Sequence, residues 1–435
     1  MQSSAFLVQA LAIVIGLAAV TTAPLTSTAS GQDKAKKGPL ADLPSKPGAH
    51  IDKIKALGDN QWVNLGAPAA DPKWGKARGR SWGAKALILA PDLRGAFLFG
   101  EGLHGYVKPD GYAMDDLWFY DINAHAWICL YPGMNTMTFT QRVKDKELKI
   151  DDNGLLRDKD GQAIPVHTSI HAWGYLAYDS DRKKFAFVSW NTYEEIARGL
   201  LGGDKQMEEG LKLLEEQRKG KKKRAFSPWS YDVASGQFER SPATGPLGSG
   251  AGAFPQLHYL SAKKQFFAVG SNGVAIFDPA KSQWSEAKPK GPTPKGSDGC
   301  GCYDSKRNRV YRNDGDSGEG TGLMAYDIES NTWIELKPKG SAPAAANTNG
   351  AYYEYDPLLD LVVVLHVRGK TPGVFAYNPE TNSWADPLPI PADGPKLQFA
   401  ANTCYDRELN VYLCHVAGDS NDNGVVWAYR YKKRD

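Results

Sequence analysis

Cysteine is scarce in this chain, with five in 435 residues. That excludes a disulfide-built scaffold, and the odd number leaves at least one thiol unpaired or paired between chains. An excess of one charge is equally lacking, since 52 Lys and Arg face 49 Asp and Glu for a formal net charge of +3. Phosphate backbones require a basic stripe, so nucleic acid is excluded as a partner. The one basic run, Arg218 to Arg224, follows an amphipathic helical pattern and suits a helix end that complements the dipole. Long apolar runs are missing too, apart from Ala5 to Val20, which is short for a membrane span. Small residues follow at Ser27-Thr28-Ala29, before Ser30, and a signal peptide is expected over 1–29; the first residues carry no Lys or Arg, which leaves an uncleaved N-terminal anchor as the alternative. Residues 30–58, rich in Lys, Pro and Gly, read as a flexible linker. A secreted or periplasmic protein is expected, with no membrane span once the signal is cleaved.

What the chain has in abundance is one short phrase. An aromatic residue is answered seven positions later by Trp or Phe in Tyr120/Trp127, Tyr231/Phe238, Phe277/Trp284, Tyr326/Trp333 and Tyr377/Trp384. A sixth copy begins at Val426-Trp427-Ala428-Tyr429 and the chain stops at Asp435, before its Trp. Near the other end, Trp62-Val63-Asn64-Leu65 reads like Trp333-Ile334-Glu335-Leu336. The first strand of the domain can therefore complete the sheet begun by the last one, and a closed ring of repeats implies a β-propeller.

Each phrase is preceded by two apolar runs around a polar turn, at 84–100, 173–190, 255–270, 298–313, 349–366 and 400–416. With these as strands a and b, and the phrase as strands c and d, the expected fold is all-β. It is a six-bladed propeller over 59–435, with four-stranded antiparallel blades and the N-terminal strand closing the last one. Inside the c–d turn, Asp121, Asp232, Asp278, Asp327 and Asn378 can bond the turn backbone, while Pro279 and Pro379 preset φ. Four residues on stand His125, Gly236, Ser282, Asn331 and Asn382, mostly types that tolerate positive φ, which accounts for His125 without a function. The Trp that follows is expected to bury its ring between blades.

The run Phe375-Ala376-Tyr377-Asn378-Pro379-Glu380-Thr381-Asn382-Ser383-Trp384 resembles the Tyr-and-Trp half of a kelch repeat, as found in kelch proteins and in the propeller of galactose oxidase. The resemblance covers about 59–435. In place of the family's double glycine after strand b stand Phe99-Gly100, Ser189-Trp190, Val269-Gly270, Asn313-Asp314, His366-Val367 and His415-Val416. Galactose oxidase resemblance implies a copper–radical site of two tyrosines, two histidines and a Tyr–Cys crosslink. The family's adjacent Tyr-His pair has no counterpart here and Cys129 falls in an outer strand, so no such centre is expected.

Two insertions interrupt the repeat. The first, about 133–168, contains Asp152-Asn153-Gly154 and Lys159-Asp160-Gly161 between short alternating runs and reads as one or two β-hairpins. The second, about 191–226, has a Thr192/Glu195 capping box, a Gly202-Gly203 break and then Met207, Leu211 and Leu214 at helical spacing, which reads as a helical hairpin. Together with the long b–c loop 101–116 of blade 1, they should crowd one sector of one face. The polar groups expected there, as a ligand-binding set, are Glu101, His104, Asp115, Asp116, His167, His171, Trp190 and Tyr193. Long loops kept in one sector alone are more economically explained by use than by packing.

Metal chemistry is the alternative. In an extended segment His167 and His171 share one side and, with a carboxylate, can hold a transition metal; lining a pocket with hydrogen bonds is the plainer reading. Asp419, Asn421 and Asn423 match the start of a calcium loop, but Arg430 stands where a closing Glu belongs and Gly424 leads into a strand. Cys300-Gly301-Cys302 has one intervening residue, not the two of common zinc or redox motifs. Cys404 and Cys414 lie on two arms of one hairpin, where they can meet in an oxidising compartment or remain buried thiols. The leading functional reading is a binding or interaction module for glycan, peptide or another extracytoplasmic protein. The other is a metal-assisted hydrolase, lyase or oxidase built on the groups of blades 1 and 2.

Overall fold

In the computed structural model of the protein, which describes residues 37–80, 85–100, 108–165, 174–188, 205–221, 228–242, 256–270, 273–294, 299–313, 322–343, 350–367, 372–416 and 424–433, every Tyr/Trp phrase becomes two adjacent strands joined by a tight turn. Tyr120 faces Trp127 across the ladder, Tyr231 faces Phe238, Phe277 faces Trp284, Tyr326 faces Trp333 and Tyr377 faces Trp384. Their ring centroids stand 5.1 to 5.4 Å apart, the range in which aromatic pairs gain energy beyond the area they bury. The turn between them is held as the sequence implies. The Asp or Asn side chain accepts from a backbone N–H two or three residues on, as Asp327 does from Ser330 at 3.0 Å. The residue four further on has φ near +50°, including His125, Ser282, Asn331 and Asn382. Asn331 and Asn382 also accept the hydroxyl of their own blade's tyrosine, at 2.9 and 3.0 Å.

Six four-stranded antiparallel blades follow, listed a to d. Blade 1 is Leu87–Ala90, Gly95–Leu98, Leu117–Asp121 and Ala126–Tyr131; blade 2 is Leu176–Asp179, Lys184–Val188, Pro228–Asp232 and Gln237–Arg240. Blade 3 is Gln256–Leu260, Gln265–Val269, Val274–Asp278 and Gln283–Ala287; blade 4 is Gly301–Asp304, Arg309–Asn313, Leu323–Asp327 and Thr332–Glu335. Blade 5 is Ala351–Asp356, Leu361–His366, Gly373–Asn378 and Ser383–Trp384, with Leu388–Pro389 continuing the outer strand. Blade 6 is Thr403–Asp406, Val411–Val416 and Val425–Arg430, completed by Gln61–Gly66 from the other end of the chain.

That last pairing reproduces the phrase with its halves swapped in order. Trp62 faces Tyr429 with rings 4.3 Å apart, and the Tyr429 hydroxyl donates to Asn60 at 3.0 Å. Asn60, at φ 49°, is thus the blade 6 counterpart of Asn331.

The segment expected to be a flexible linker is instead ordered from residue 37 onward. It straps the c–d turns of blades 2 and 1 and then the end of strand c in blade 6. The Gly38 amide donates to the Ala234 carbonyl at 2.9 Å, the Gly48 amide to Asn123 at 2.8 Å, and Ser45 Oγ to Asp121 at 2.8 Å. Helix α1 (His50–Lys55) then buries Ile51 and Ile54, and Arg430 of blade 6 donates to the Leu57 carbonyl just beyond it. Composition suggested a linker because Lys, Pro and Gly dominate it, but Leu40, Ile51, Ile54 and Leu57 join the apolar core of blades 1, 2 and 6.

One further difference concerns the insertions. The first holds helix α2 (Thr136–Lys144) as well as one hairpin, Lys149–Ile150 with Leu156–Arg157. Asn135 caps α2, accepting from the amides of Met137 and Thr138, both at 3.1 Å. Of the second insertion, the described part is helix α3 (Lys205–Arg218) and its end. No helix among the described residues is long and apolar enough to cross a membrane.

Candidate binding sites on the elaborated sector and in the channel

The three elaborations meet. Ala113 from the blade 1 loop, Met134, Phe139, Val143, Leu148, Ile150, Leu156 and Ile164 from the first insertion, and Met207 and Leu214 from α3 form an apolar cluster of their own. Sequence spacing placed Met207, Leu211 and Leu214 on one helical stripe, and this cluster is what the stripe covers. Polar contacts fix the helix pair. The Gly210 amide donates to Thr140 Oγ1 at 3.3 Å, the Ile150 amide to Gln217 at 3.0 Å, and Lys144 pairs with Glu209 at 2.7 Å. Gly210 sits mid-helix because a Cβ there would come within 2.9 Å of Thr140 Cα. Between this body and blades 1 and 2 lies a cleft of about 370 Å³, lined among others by Tyr112, Tyr131, Met134, Arg142, Gln162 and Phe238.

Of the residues singled out from sequence, Asp115 and Asp116 are described and both are buried. Asp116 takes the Arg80 guanidinium at 2.7 Å on one oxygen, and Trp118 Nε1 at 2.8 Å and Lys108 at 3.2 Å on the other. Burial raises its pKa, but Arg80 and Lys108 outweigh that and the net shift is downward. Asp115 accepts the Met134 amide at 2.9 Å. Burial, aided by the Asp116 charge, pushes Asp115 up to about 7. Arg80 also ties blade 6 to blade 1, its amide donating to Asn402 Oδ1 and its carbonyl accepting from Asn402 Nδ2, both at 2.7 Å. Beside it His415, packed edge-on to Trp127 at 4.9 Å, is lowered to about 3 by burial and by Arg80.

Glu101, His104, His167, His171, Trp190 and Tyr193 lie outside the described residues, as do Asp419, Asn421 and Asn423. Among the described residues no group of three or more His, Cys, Asp or Glu is placed to hold a metal ion. The five cysteines are free thiols. Cys404 opposes Leu413, and Cys414 opposes Thr403; the two thiols belong to different apolar clusters on either side of blade 6, so they do not pair. Cys300 and Cys302 are both buried in the core of blades 4 and 5. The glycine between them has a packing reason, since a Cβ at Gly301 would fall 1.9 Å from the Tyr311 carbonyl oxygen.

A second cavity, of about 320 Å³, runs along the axis between the inner strands. Its polar centre is assembled from three blades. Lys85 Nζ donates to Glu354 Oε2 at 2.9 Å, and the Tyr352 hydroxyl donates to the same oxygen at 2.8 Å. Lys85 also lies 5.1 Å from the Tyr352 ring centroid. His258 joins them from blade 3; burial, then Lys85, lowers it to about 3, so its imidazole is neutral. Sequence reasoning missed this set. The available signal was a polar residue in an inner strand, as in Leu257-His258-Tyr259 and Tyr353-Glu354-Tyr355, where apolar neighbours on both sides mark a position facing the axis.

No protein family and no curated protein matches the chain. Among solved structures, a structural-genomics protein of unknown function from Bacteroides thetaiotaomicron is similar over 86% of this chain and 76% of its own, at 10% identity and a TM-score of 0.47. TolB from Acinetobacter baumannii is similar over 75% of this chain and 63% of its own, at 13% identity and a TM-score of 0.37.

Proposed function

We propose that the protein is a secreted, kelch-like propeller that works as an interaction module, holding a glycan, a peptide or another extracytoplasmic protein at the elaborated sector of blades 1 and 2. The observation that carries this reading is the insertion body. Three segments from separate connections, repeated in no other described blade, share one apolar core, and two of them, the blade 1 loop and the first insertion, border a cleft against the outer strands of blades 1 and 2. A propeller does not need that body to close its ring, and ordering so many residues costs conformational entropy that a binding surface justifies. The cleft also has the composition of a recognition site, with half-buried aromatic faces at Tyr112 and Phe238 beside the amide of Gln162 and the guanidinium of Arg142. Glu101, His104, His167, His171, Trp190 and Tyr193 belong to the connections of the same two blades and extend the set.

The test is a screen of the purified mature protein on glycan and peptide arrays, repeated with Tyr112→Ala and Gln162→Ala. Specific binding that falls at least tenfold in the variants, with melting temperatures within about 2 °C of the parent, supports the reading. Binding that neither substitution changes would place the recognition surface elsewhere. N-terminal sequencing of secreted protein tests the export component, and a start at Ser30 is expected.

A further inference from the structure

The axial cavity carries polar groups that the fold does not use. We propose that it is a binding site for a small, uncharged, polyhydroxylated molecule the size of one sugar ring, entering from the face of the a–b turns. The inference does not rest on the elaborated sector, which stands on the opposite ends of the strands.

Three observations lead there. The first is charge. Lys85 and Glu354 neutralise each other at the centre of the cavity, so a carboxylate ligand meets Glu354 and an ammonium meets Lys85, and neither gains. A hydroxyl group can accept from the one and donate to the other. The second is an unused group. His258 Nε2 is shielded from solvent and has no hydrogen-bond partner among the described residues, a state that costs on the order of 1–3 kcal/mol when nothing fills it. Its neutral ring offers one donor and one acceptor, again the complement of a hydroxyl. On Glu354, Lys85 and Tyr352 both use Oε2, and Oε1 takes no hydrogen bond among the described residues.

The third is shape. About 320 Å³ lies at the lower end of the range for small-molecule sites and holds a single ring with its waters. Towards the mouth the walls are tyrosine rings whose hydroxyls are already committed, Tyr303 to Asn308 at 3.0 Å and Tyr405 to Asp356 at 2.8 Å. That leaves their aromatic faces for the C–H groups of a ligand. Arg407 at the mouth is engaged within the protein.

The probes are glucose, mannose and ribose, with glucuronate and glucosamine as charged counterparts of the first. Saturation-transfer NMR and titration calorimetry on the full mature protein are compared with Glu354→Gln, His258→Ala and Tyr352→Phe. At least one neutral sugar is expected to bind at millimolar affinity or better, its charged counterparts at least tenfold more weakly. Glu354→Gln and His258→Ala should each weaken binding at least tenfold, with a cooperative melting transition showing that each variant is folded. Tyr352→Phe, which removes only a hydroxyl, should weaken it several-fold and serves if His258→Ala fails to fold. Absence of transfer from all three neutral sugars overturns the proposal, as does tighter binding of glucuronate or glucosamine. Binding that the channel variants leave unchanged, and that Tyr112→Ala abolishes, overturns it too and assigns the sugar to the elaborated cleft.

Discussion

Asp115 should make the protein less stable as pH rises, and Asp115→Asn should cancel that loss. The carboxyl is buried and, held near 7, keeps its proton in the folded state long after an unfolded chain has released it. Between the unfolded value near 4 and about 7 the native state binds the extra proton, so stability declines as pH increases through that window. About three pKa units at 1.36 kcal/mol each give roughly 4 kcal/mol in full at pH 8. Asparagine keeps the Oδ1 acceptor for the Met134 amide at 2.9 Å, places an N–H where the protonated acid had its O–H, and adds no charge beside Asp116. The variant should match the parent at pH 4 and exceed it by about 4 kcal/mol at pH 8. If the ring of roughly 375 residues melts as one unit, an unfolding entropy of about 2.1 cal/mol/K per residue converts this to about 5 °C. Differential scanning calorimetry at pH 4, 6 and 8 reads it as a difference between the two proteins. The depressed His258 and His415, whose stabilisation is lost as pH falls below about 6.5, contribute equally to both and cancel. A difference that is flat with pH, or a variant weaker than the parent at pH 8, would refute the reasoning.

Two further outcomes test the strap and the closing seam. Ile54→Ala removes a fully buried side chain from the strap and should cost about 2–5 kcal/mol; an effect below about 0.5 kcal/mol in urea unfolding would mean the strap is detachable. Arg94→Met leaves the buried Asp406, now gripped at 2.9 and 2.8 Å, without its bidentate partner between blades 1 and 6. A loss of about 3–5 kcal/mol is expected, and near-neutral stability would contradict the charge burial.

The blades were legible because their signal is local. Tyr326 and Trp333 are seven apart because a c–d turn of fixed length sets them opposite, and the positive φ at Asn331 leaves its own mark on residue choice. Even closure could be read, since Trp62 repeats the context of Trp333. The strap could not, because its backbone partners are carbonyls such as Ala234 and Asn123, nearly 200 and 75 residues away, and composition carries no trace of them. Helix α2 was hidden in another way. Thr136, Thr138 and Thr140 are β-branched and poor helix formers, and what makes the helix is tertiary burial of Phe139 and Val143. The channel site is the most distributed of all. Lys85, His258 and Glu354 are far apart in sequence and converge only when three blades close around one axis.

Closure of the ring by strand Gln61–Gly66 underlies both faces and can be measured by crosslinking. Val63 and Ala428 are register partners, and both pack on the core of blades 1, 2 and 6. In the double variant Val63→Cys with Ala428→Cys, mild oxidation of the folded protein should join the two peptides, detected by mass spectrometry after proteolysis. The off-register pair Val63→Cys with Tyr429→Cys, whose second residue packs on the other side of the blade, should stay reduced. A folded double variant whose Val63 and Ala428 positions remain reduced, or crosslink no better than the off-register pair, would contradict the six-bladed closure.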